Sequence, residues 1–217
     1  MDLTVLNESF AEVVTNRGGH ELVMPQTCNT MNFLEFEFLS SGCVEKLLNT
    51  MKTRTATGPD GISAALLKTL APAVAPNPTR IMNRSMALGI FPMMWKKANV
   101  AAVWKGKGSK TEAGNYRPIS ILPVMARVFE RVVAGQLSKH CDAHNVIPAE
   151  QFGFRQGSSC ELALVAATDE WLRQLDEGKI VGSLLIDLSK AFDMVSHQQL
   201  LGDLQEIECG RRVCQWL

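Results

Sequence analysis

The run Ile180-Val181-Gly182-Ser183-Leu184-Leu185-Ile186-Asp187 decides how this sequence is read. It is apolar almost to its last residue and ends on a carboxylate. A short apolar run of that kind predicts a central β-strand delivering an acid to its tip. A carboxylate in that position is costly unless a cation or hydrogen bonds meet it. The chain continues as Asp187-Leu188-Ser189-Lys190-Ala191-Phe192-Asp193. Taken alone, that stretch supports two readings. One is an N-cap for the next helix; the other is a ligand for Mg²⁺, which takes one or two carboxylates plus phosphate oxygens.

Working outward, Asn99-Val100-Ala101-Ala102-Val103-Trp104 reads as a second strand. Ser40 or Ser41 is placed to cap a helix carrying Val44, Leu47, Leu48 and Met51 at spacings of three and four. Further helices are expected near 62–70, 79–88, 123–139 and 159–175. In the 123–139 helix Val124, Val128, Val132, Val133 and Leu137 form an apolar face. Gly58-Pro59-Asp60-Gly61, the Pro72/Pro76/Pro78 cluster and Gly106-Lys107-Gly108-Ser109 read as turns or loops. There is no internal repeat and no low-complexity linker. Long helices with few strands predict an α+β fold.

The chain has 217 residues, of which 46% are hydrophobic and 20% charged, enough for one domain or two small ones with a real core. Lys plus Arg equals Asp plus Glu at 22 each, a neutrality that argues against a protein built to coat nucleic acid. Counting by segment reverses that impression. Residues 1–50 hold seven acids and two bases, net −5; residues 51–139 hold fourteen bases and three acids, net +11; residues 140–217 hold twelve acids and six bases, net −6. Six cysteines are too sparse for a disulfide scaffold. No secretory signal opens the chain, and no apolar run approaches the ~18 residues of a membrane span. A soluble protein of a reducing compartment is expected. His140-Cys141-x-x-His144 and Cys209-x₄-Cys214 lack zinc-framework spacing, so free thiols and no structural zinc are expected.

The basic segment supplies a second clue. Lys105, Lys107 and Lys110 surround a glycine-rich turn, and Arg117 follows in Asn115-Tyr116-Arg117-Pro118-Ile119-Ser120. Two readings stand here as well. Small residues beside lysines allow close approach to a polyphosphate that Arg117 could clamp with paired hydrogen bonds, or the turn is a solvated hairpin. It is not a Walker A loop.

The order of these motifs is specific where each alone is weak. Gly58-Pro59-Asp60-Gly61, Phe91-Pro92-x-x-Trp95-Lys96, Lys105-Gly106-Lys107-Gly108, Asn115 to Ser120, Gln151-Phe152-Gly153-Phe154-Arg155, and Asp187 to Asp193 with Val195 and His197 follow one another at fitting intervals. From about residue 33 onward the chain resembles reverse transcriptases of non-LTR (LINE-type) retrotransposons. The resemblance implies an RNA-directed DNA polymerase with a right-hand architecture. Residues 1–32 would be a connector preceding the core, 33–179 mostly helical fingers and fingers/palm, and 180–217 the start of the palm sheet. Partners would be an RNA template, a DNA primer and dNTPs, with two Mg²⁺ or Mn²⁺ ions; no membrane is involved. Location would be intracellular, in nucleus or cytoplasm, and oligomeric state is left open.

By the same resemblance Asp187 would be the first catalytic, metal-binding carboxylate, assisted by the backbone carbonyl of Leu188. Arg117, Lys105 and Lys107 would bind the nucleotide. Phe192 would be the sugar gate that rejects a ribose 2′-hydroxyl, with a core aromatic as the alternative. Gln151 and Arg155 would contact template or primer, or else form a structural turn. Asp193 and His197 would be structural, the acid as a cap or as a partner for Lys190 or His197. Many relatives carry a lysine where this chain has Thr55 beside Arg54. The later motifs of the family are absent: the Gln-Gly turn, the aromatic-x-Asp-Asp hairpin and the thumb. No Asp-Asp dipeptide occurs in these 217 residues. The expectation is an N-terminal fragment that lacks polymerase activity, with a non-catalytic binder of RNA or RNA–DNA hybrid as the alternative.

Overall fold

The computed structural model describes residues 4–6, 8, 9, 11, 33–188 and 191–217. The expected connector over 1–32 falls almost wholly outside them, as do Ser189, Lys190 and the side chain of Asp193. The chain divides into two units: residues up to Lys139 together with Val195–Leu217, and His140–Met194.

In the first unit Ser40 caps α1 (Ser41–Thr50), its hydroxyl accepting the Cys43 N–H at 3.2 Å. Val44 and Leu48 of this helix are fully buried, as their spacing predicts. Ser63 caps α2 (Ala64–Thr69) in the same way, through Leu66 N–H. The proline cluster expected to be loop instead opens two helices, α3 (Ala71–Val74) and α4 (Pro76–Leu88). First-turn N–H groups have no acceptor within a helix, so proline costs nothing there and its fixed φ favours the start. After α4 the chain reverses through Gly89, and Ile90 N–H returns to the Ser85 carbonyl at 3.1 Å.

Strand β1 (Asn99–Trp104) has the expected bounds. It pairs antiparallel with β2 (Tyr116–Ile121), from Asn99 opposite Ile121 to Trp104 opposite Tyr116. Helix α5 (Val124–Ala143) follows at once. The turn at 58–61 packs on this β2–α5 junction. Gly58 N-terminal to Pro59 lies so close that a Cβ there would meet Pro123 N at 2.5 Å, and the Gly61 N–H closes the turn on the Gly58 carbonyl at 3.1 Å. Arg127 on α5 reinforces the contact, its Nη2 donating to the Ala56 carbonyl at 2.9 Å.

The core of this unit gathers α1, α2, α4, α5 and the last helix, α8 (Arg211–Trp216), which follows α7 (His197–Glu206). At its centre Phe91 stacks on Phe129 at 5.9 Å between centroids. Trp216 meets both rings edge-on, at 5.0 and 4.9 Å. The buried indole N–H of Trp216 donates to Ser85 Oγ at 2.9 Å, and Ser85 Oγ donates in turn to the Ile90 carbonyl at 2.6 Å. A second cluster holds Leu201, Leu204, Cys209, Val213 and Cys214.

Residues 34–39 cross this unit as a strap held by its backbone. Leu34 N–H donates to the Glu208 carbonyl and Leu34 carbonyl accepts from Gly210 N–H. The Gln136 amide brackets Glu37, accepting from its N–H at 3.0 Å and donating to its carbonyl at 2.8 Å. The Asn83 amide does the same for Leu39, at 2.8 and 2.9 Å.

The second unit contains α6 (Cys160–Asp176), capped by Ser159 through the Leu162 N–H at 3.2 Å, and none of its residues is buried. The strand expected over 180–187 is not formed. Residues 180–188 are irregular, with Ile180 fully exposed and Leu185 90% exposed. A central strand needs a ladder on both edges and cover on both faces. Among the described residues no segment pairs with this one.

Two outcomes follow from the core. Ser85→Ala leaves the Trp216 N–H and the Ile90 carbonyl without their partner and should cost about 1–3 kcal/mol, read as a lower urea midpoint. Of the five described cysteines, Cys43 and Cys160 are exposed while Cys141, Cys209 and Cys214 are buried. Burial pushes the Cys141 and Cys214 thiols above the ordinary range, so they stay protonated at pH 8. Mass spectrometry after brief alkylation of the folded protein should find Cys43 and Cys160 modified well before the other three.

Candidate active site

The nucleotide-binding candidates of the first unit lie on the β1–β2 hairpin and its loop, which is knotted by its own side chains. Lys105 N–H donates to the Asn115 carbonyl at 2.8 Å, and Lys105 Nζ reaches the Gly114 carbonyl at 2.6 Å. Asn115 Nδ2 donates to the Ser109 carbonyl and to Glu112 Oε2, both at 2.9 Å. Tyr116 donates its hydroxyl to the Lys110 carbonyl at 3.0 Å. The glycines belong to this geometry: Gly108 has φ +76°, and a Cβ there would strike the Asn115 amide at 2.5 Å. Their presence is therefore explained by the hairpin itself, the plainer of the two readings of this run.

The cations divide accordingly. Lys105 is committed to the loop. Lys107 and Arg117 make no side-chain hydrogen bond or ion pair among the described residues, and both are exposed. The Lys110 ammonium sits over the Trp104 ring, 5.0 Å from its centroid. Over residues 99–121 there are four cations and one carboxylate, Glu112, which Asn115 already engages. Arg117 is permanently charged, and its open fork can take a phosphate bidentately.

In the second unit Gln151 and Arg155 lie on one turn and tie it. Gln151 Nε2 donates to the Gly153 carbonyl at 3.1 Å, and Arg155 Nη1 to the Pro148 carbonyl at 3.0 Å. Between them Phe154 adopts φ +59°, a left-handed conformation that is costly for an aromatic residue. Its ring is 99% exposed and meets Phe192 edge-on at 6.0 Å. Phe192 is itself 80% exposed, so within this unit it is no core aromatic. Asp187 is exposed and makes no hydrogen bond or ion pair among the described residues; Leu188, whose carbonyl was the second candidate ligand, is exposed beside it.

An open carboxylate followed by an exposed backbone carbonyl suits a hard cation, which prefers oxygen ligands and keeps several waters. No group of three or more His, Cys, Asp or Glu side chains converges among the described residues. The His140 and His144 rings lie 4.2 Å apart at a 40° tilt, with the His144 Nδ1–H donating to the His140 carbonyl at 2.9 Å. One residue, Arg127, and one pairing, Trp104 with Tyr116, escaped the sequence reading. Arg127 is distant in sequence from the loop it clamps, and nothing local signals it. Trp104 and Tyr116 were visible as aromatics flanking a lysine–glycine run, but their direct opposition comes only from strand register. Among the described residues, no helix is long and apolar enough to cross a membrane.

Comparison with known proteins bears on the same elements. A family model described as reverse transcriptase (RNA-dependent DNA polymerase) matches residues 104–217, more than half of the chain. The probable RNA-directed DNA polymerase from transposon X-element of Drosophila melanogaster is 32% identical over 154 residues, which is 71% of this chain and 17% of that protein. The probable RNA-directed DNA polymerase from transposon BS of the same organism is 28% identical over 167 residues, 76% of this chain and 18% of that protein. The RNA-directed DNA polymerase from its mobile element jockey is 27% identical over 158 residues, 73% of this chain and 17% of that protein. The chain spans less than a fifth of the length of these relatives. With Arg117 and Asp187 both inside the matched range, the chain belongs to the reverse transcriptase (RNA-dependent DNA polymerase) family.

Proposed function

We propose that this chain supplies the fingers and the first part of the palm of a right-handed RNA-directed DNA polymerase from a non-LTR retrotransposon. The observation that carries this reading is the family match over 104–217, which takes in both the basic hairpin and the Asp187 segment. The substrates of such an enzyme are an RNA template, a DNA primer and dNTPs, met in the nucleus or cytoplasm.

The residues divide the work by their chemistry. Arg117 holds the phosphates of the incoming nucleotide, and Lys107 adds positive potential beside it. Lys105 acts mainly by keeping the loop in shape. Phe192 lies under the sugar, where its ring excludes a 2′-hydroxyl, and Phe154 supports it from the edge. Gln151 and Arg155 shape the turn that faces template or primer. Asp187 and the Leu188 carbonyl hold Mg²⁺ or Mn²⁺; when bound, these ions neutralise charge on the attacking and leaving oxygens of an in-line displacement.

One carboxylate does not hold two ions. The 217-residue polypeptide by itself therefore binds nucleic acid without extending a primer. The unpaired Lys107 and Arg117 favour such a binding role, which needs no chemistry.

Fluorescence anisotropy with a labelled RNA–DNA hybrid across a salt series tests the binding reading. Log K should fall linearly with log salt, and Arg117→Gln should reduce that slope by about one unit. A slope near zero would overturn nucleic-acid binding. In primer extension on an RNA template the polypeptide should incorporate no dNTP. Incorporation that disappears in Asp187→Ala would refute the claim of inactivity and establish the acid as catalytic.

A further inference from the structure

The outer side of α4 carries an open groove. Thr79, Met82, Ser85 and Met86 are the buried residues of this helix, while Arg80, Ile81, Arg84 and Leu88, related by spacings of three and four, share its outer face. With Ile90 and Pro92, beyond the Gly89 turn, those four line a cavity of about 880 Å³. Ile81, Leu88 and Ile90 are 48, 47 and 60% exposed. Solvated apolar side chains gathered in one concavity mark a contact surface, where the same residues scattered singly would not.

The groove is cationic without a counter-charge. Arg80 and Arg84 make no hydrogen bond or ion pair among the described residues, and no acid occurs in the sequence between Asp60 and Glu112. Asn83 and Ser85 also line the groove, but their polar atoms are engaged. The Asn83 amide holds Leu39, and Ser85 Oγ lies between the Trp216 N–H and the Ile90 carbonyl. The two guanidinium groups are therefore the charge that a ligand meets.

Apolar lining and paired cations together select the ligand. Nucleic acid would find the arginines, but the lining holds no aromatic ring on which to stack a base. A helix with leucines at i, i+3 or i+4, and i+7, and carboxylates beside them, satisfies both features, because guanidinium groups take carboxylates bidentately. We infer that the α4 groove is a docking site for an acidic amphipathic helix of a partner protein. It uses none of Arg117, Lys107 and Asp187, and it stands independently of the polymerase reading. Because Asn83 and Ser85 line the groove, an occupant braces the strap contact and the Trp216 hydrogen bond from outside.

The test uses the whole 217-residue protein and a fluorescein-labelled helical peptide of about 15 residues, with leucine at those spacings and glutamate on the flanking positions. The peptide should bind saturably and raise the Tm of the protein. Arg84→Glu and Leu88→Asp should each weaken binding about tenfold or more. Both side chains are exposed, so the free variants should melt close to the parent. Arg131→Glu, exposed on α5 and outside the lining, should bind within about twofold of the parent. Peptides with lysine in place of glutamate, or alanine in place of leucine, should not bind. No binding of the acidic peptide, equal binding of the lysine peptide, or Arg84→Glu affinity within twofold of the parent would each overturn the inference. Displacement of the peptide by an oligouridylate would assign the groove to RNA, and self-association that Arg84→Glu abolishes would assign it to a second copy of the chain. Either result also overturns the partner-helix assignment, and neither outcome bears on Asp187 or the hairpin.

Discussion

The indole of Trp216 is the pivot of the larger unit. It belongs to the last helix of the chain, yet its ring packs edge-on against the stacked Phe91–Phe129 pair, and its N–H ends on Ser85. That hydroxyl passes the interaction to the Ile90 carbonyl, where the chain has just left α4 and is turning toward the hairpin. Two sequence-distant segments, the last helix and the exit from α4, are thus registered by one buried hydrogen-bonded relay. In a low-dielectric interior such a relay is stringent: satisfied it fixes one arrangement, and half-satisfied it costs more than an apolar contact would. It fixes one end of the path to the hairpin, since the chain leaves α4 toward β1 at Ile90, while the packing of Gly58 on Pro123 fixes the other.

The smaller unit is organised on different terms. Its helix α6 buries none of its residues, and the apolar run beyond it lies open. Order here comes from short-range ties: a serine cap, Gln151 and Arg155 bonded within their own turn, and Arg173 bridging Glu170 and Glu177 along one exposed helix face. Exposed ion pairs of this kind contribute little to stability. The contrast explains why the two units offer different surfaces for function: a rigid basic hairpin in one, and an accessible acid and aromatic pair in the other.

What could be read from sequence follows the range of the forces involved. Helix α1 and its Ser40 cap, strand β1 and the helices after Ser63 and Ser159 were legible because caps and periodicity act within a few residues. The prolines misled because proline speaks of both loops and first helical turns, and only the neighbouring residues decide. The Ser85–Trp216 relay, the Arg127 clamp and the amides of Asn83 and Gln136 join residues far apart in the chain, which no local pattern encodes. The apolar run at 180–187 states a need for burial without naming what meets it, and among the described residues nothing does. Of the candidate site, the residue types and order were legible. That Lys105 is spent on its own loop, while Lys107 and Arg117 have no side-chain partner among the described residues, is decided by the folded hairpin and not by local sequence.

The strap over 34–39 is recognised through its peptide groups, by carboxamides whose oxygen and nitrogen copy the edge of a neighbouring strand. Such recognition is nearly blind to side-chain identity at Glu35 and Phe38, and Glu37 adds only an exposed ion pair with Lys139 at 3.1 Å, whereas Asn83 and Gln136 admit few substitutes of equal reach. Across diverging copies of this sequence, substitutions should accumulate at these exposed strap positions, while Leu34, Phe36 and Leu39, which pack on the two clusters, and the two amides that read the strap resist change. The exposed side of the strap would then be the freer to drift, and its register would be inherited through two residues lying far along the chain.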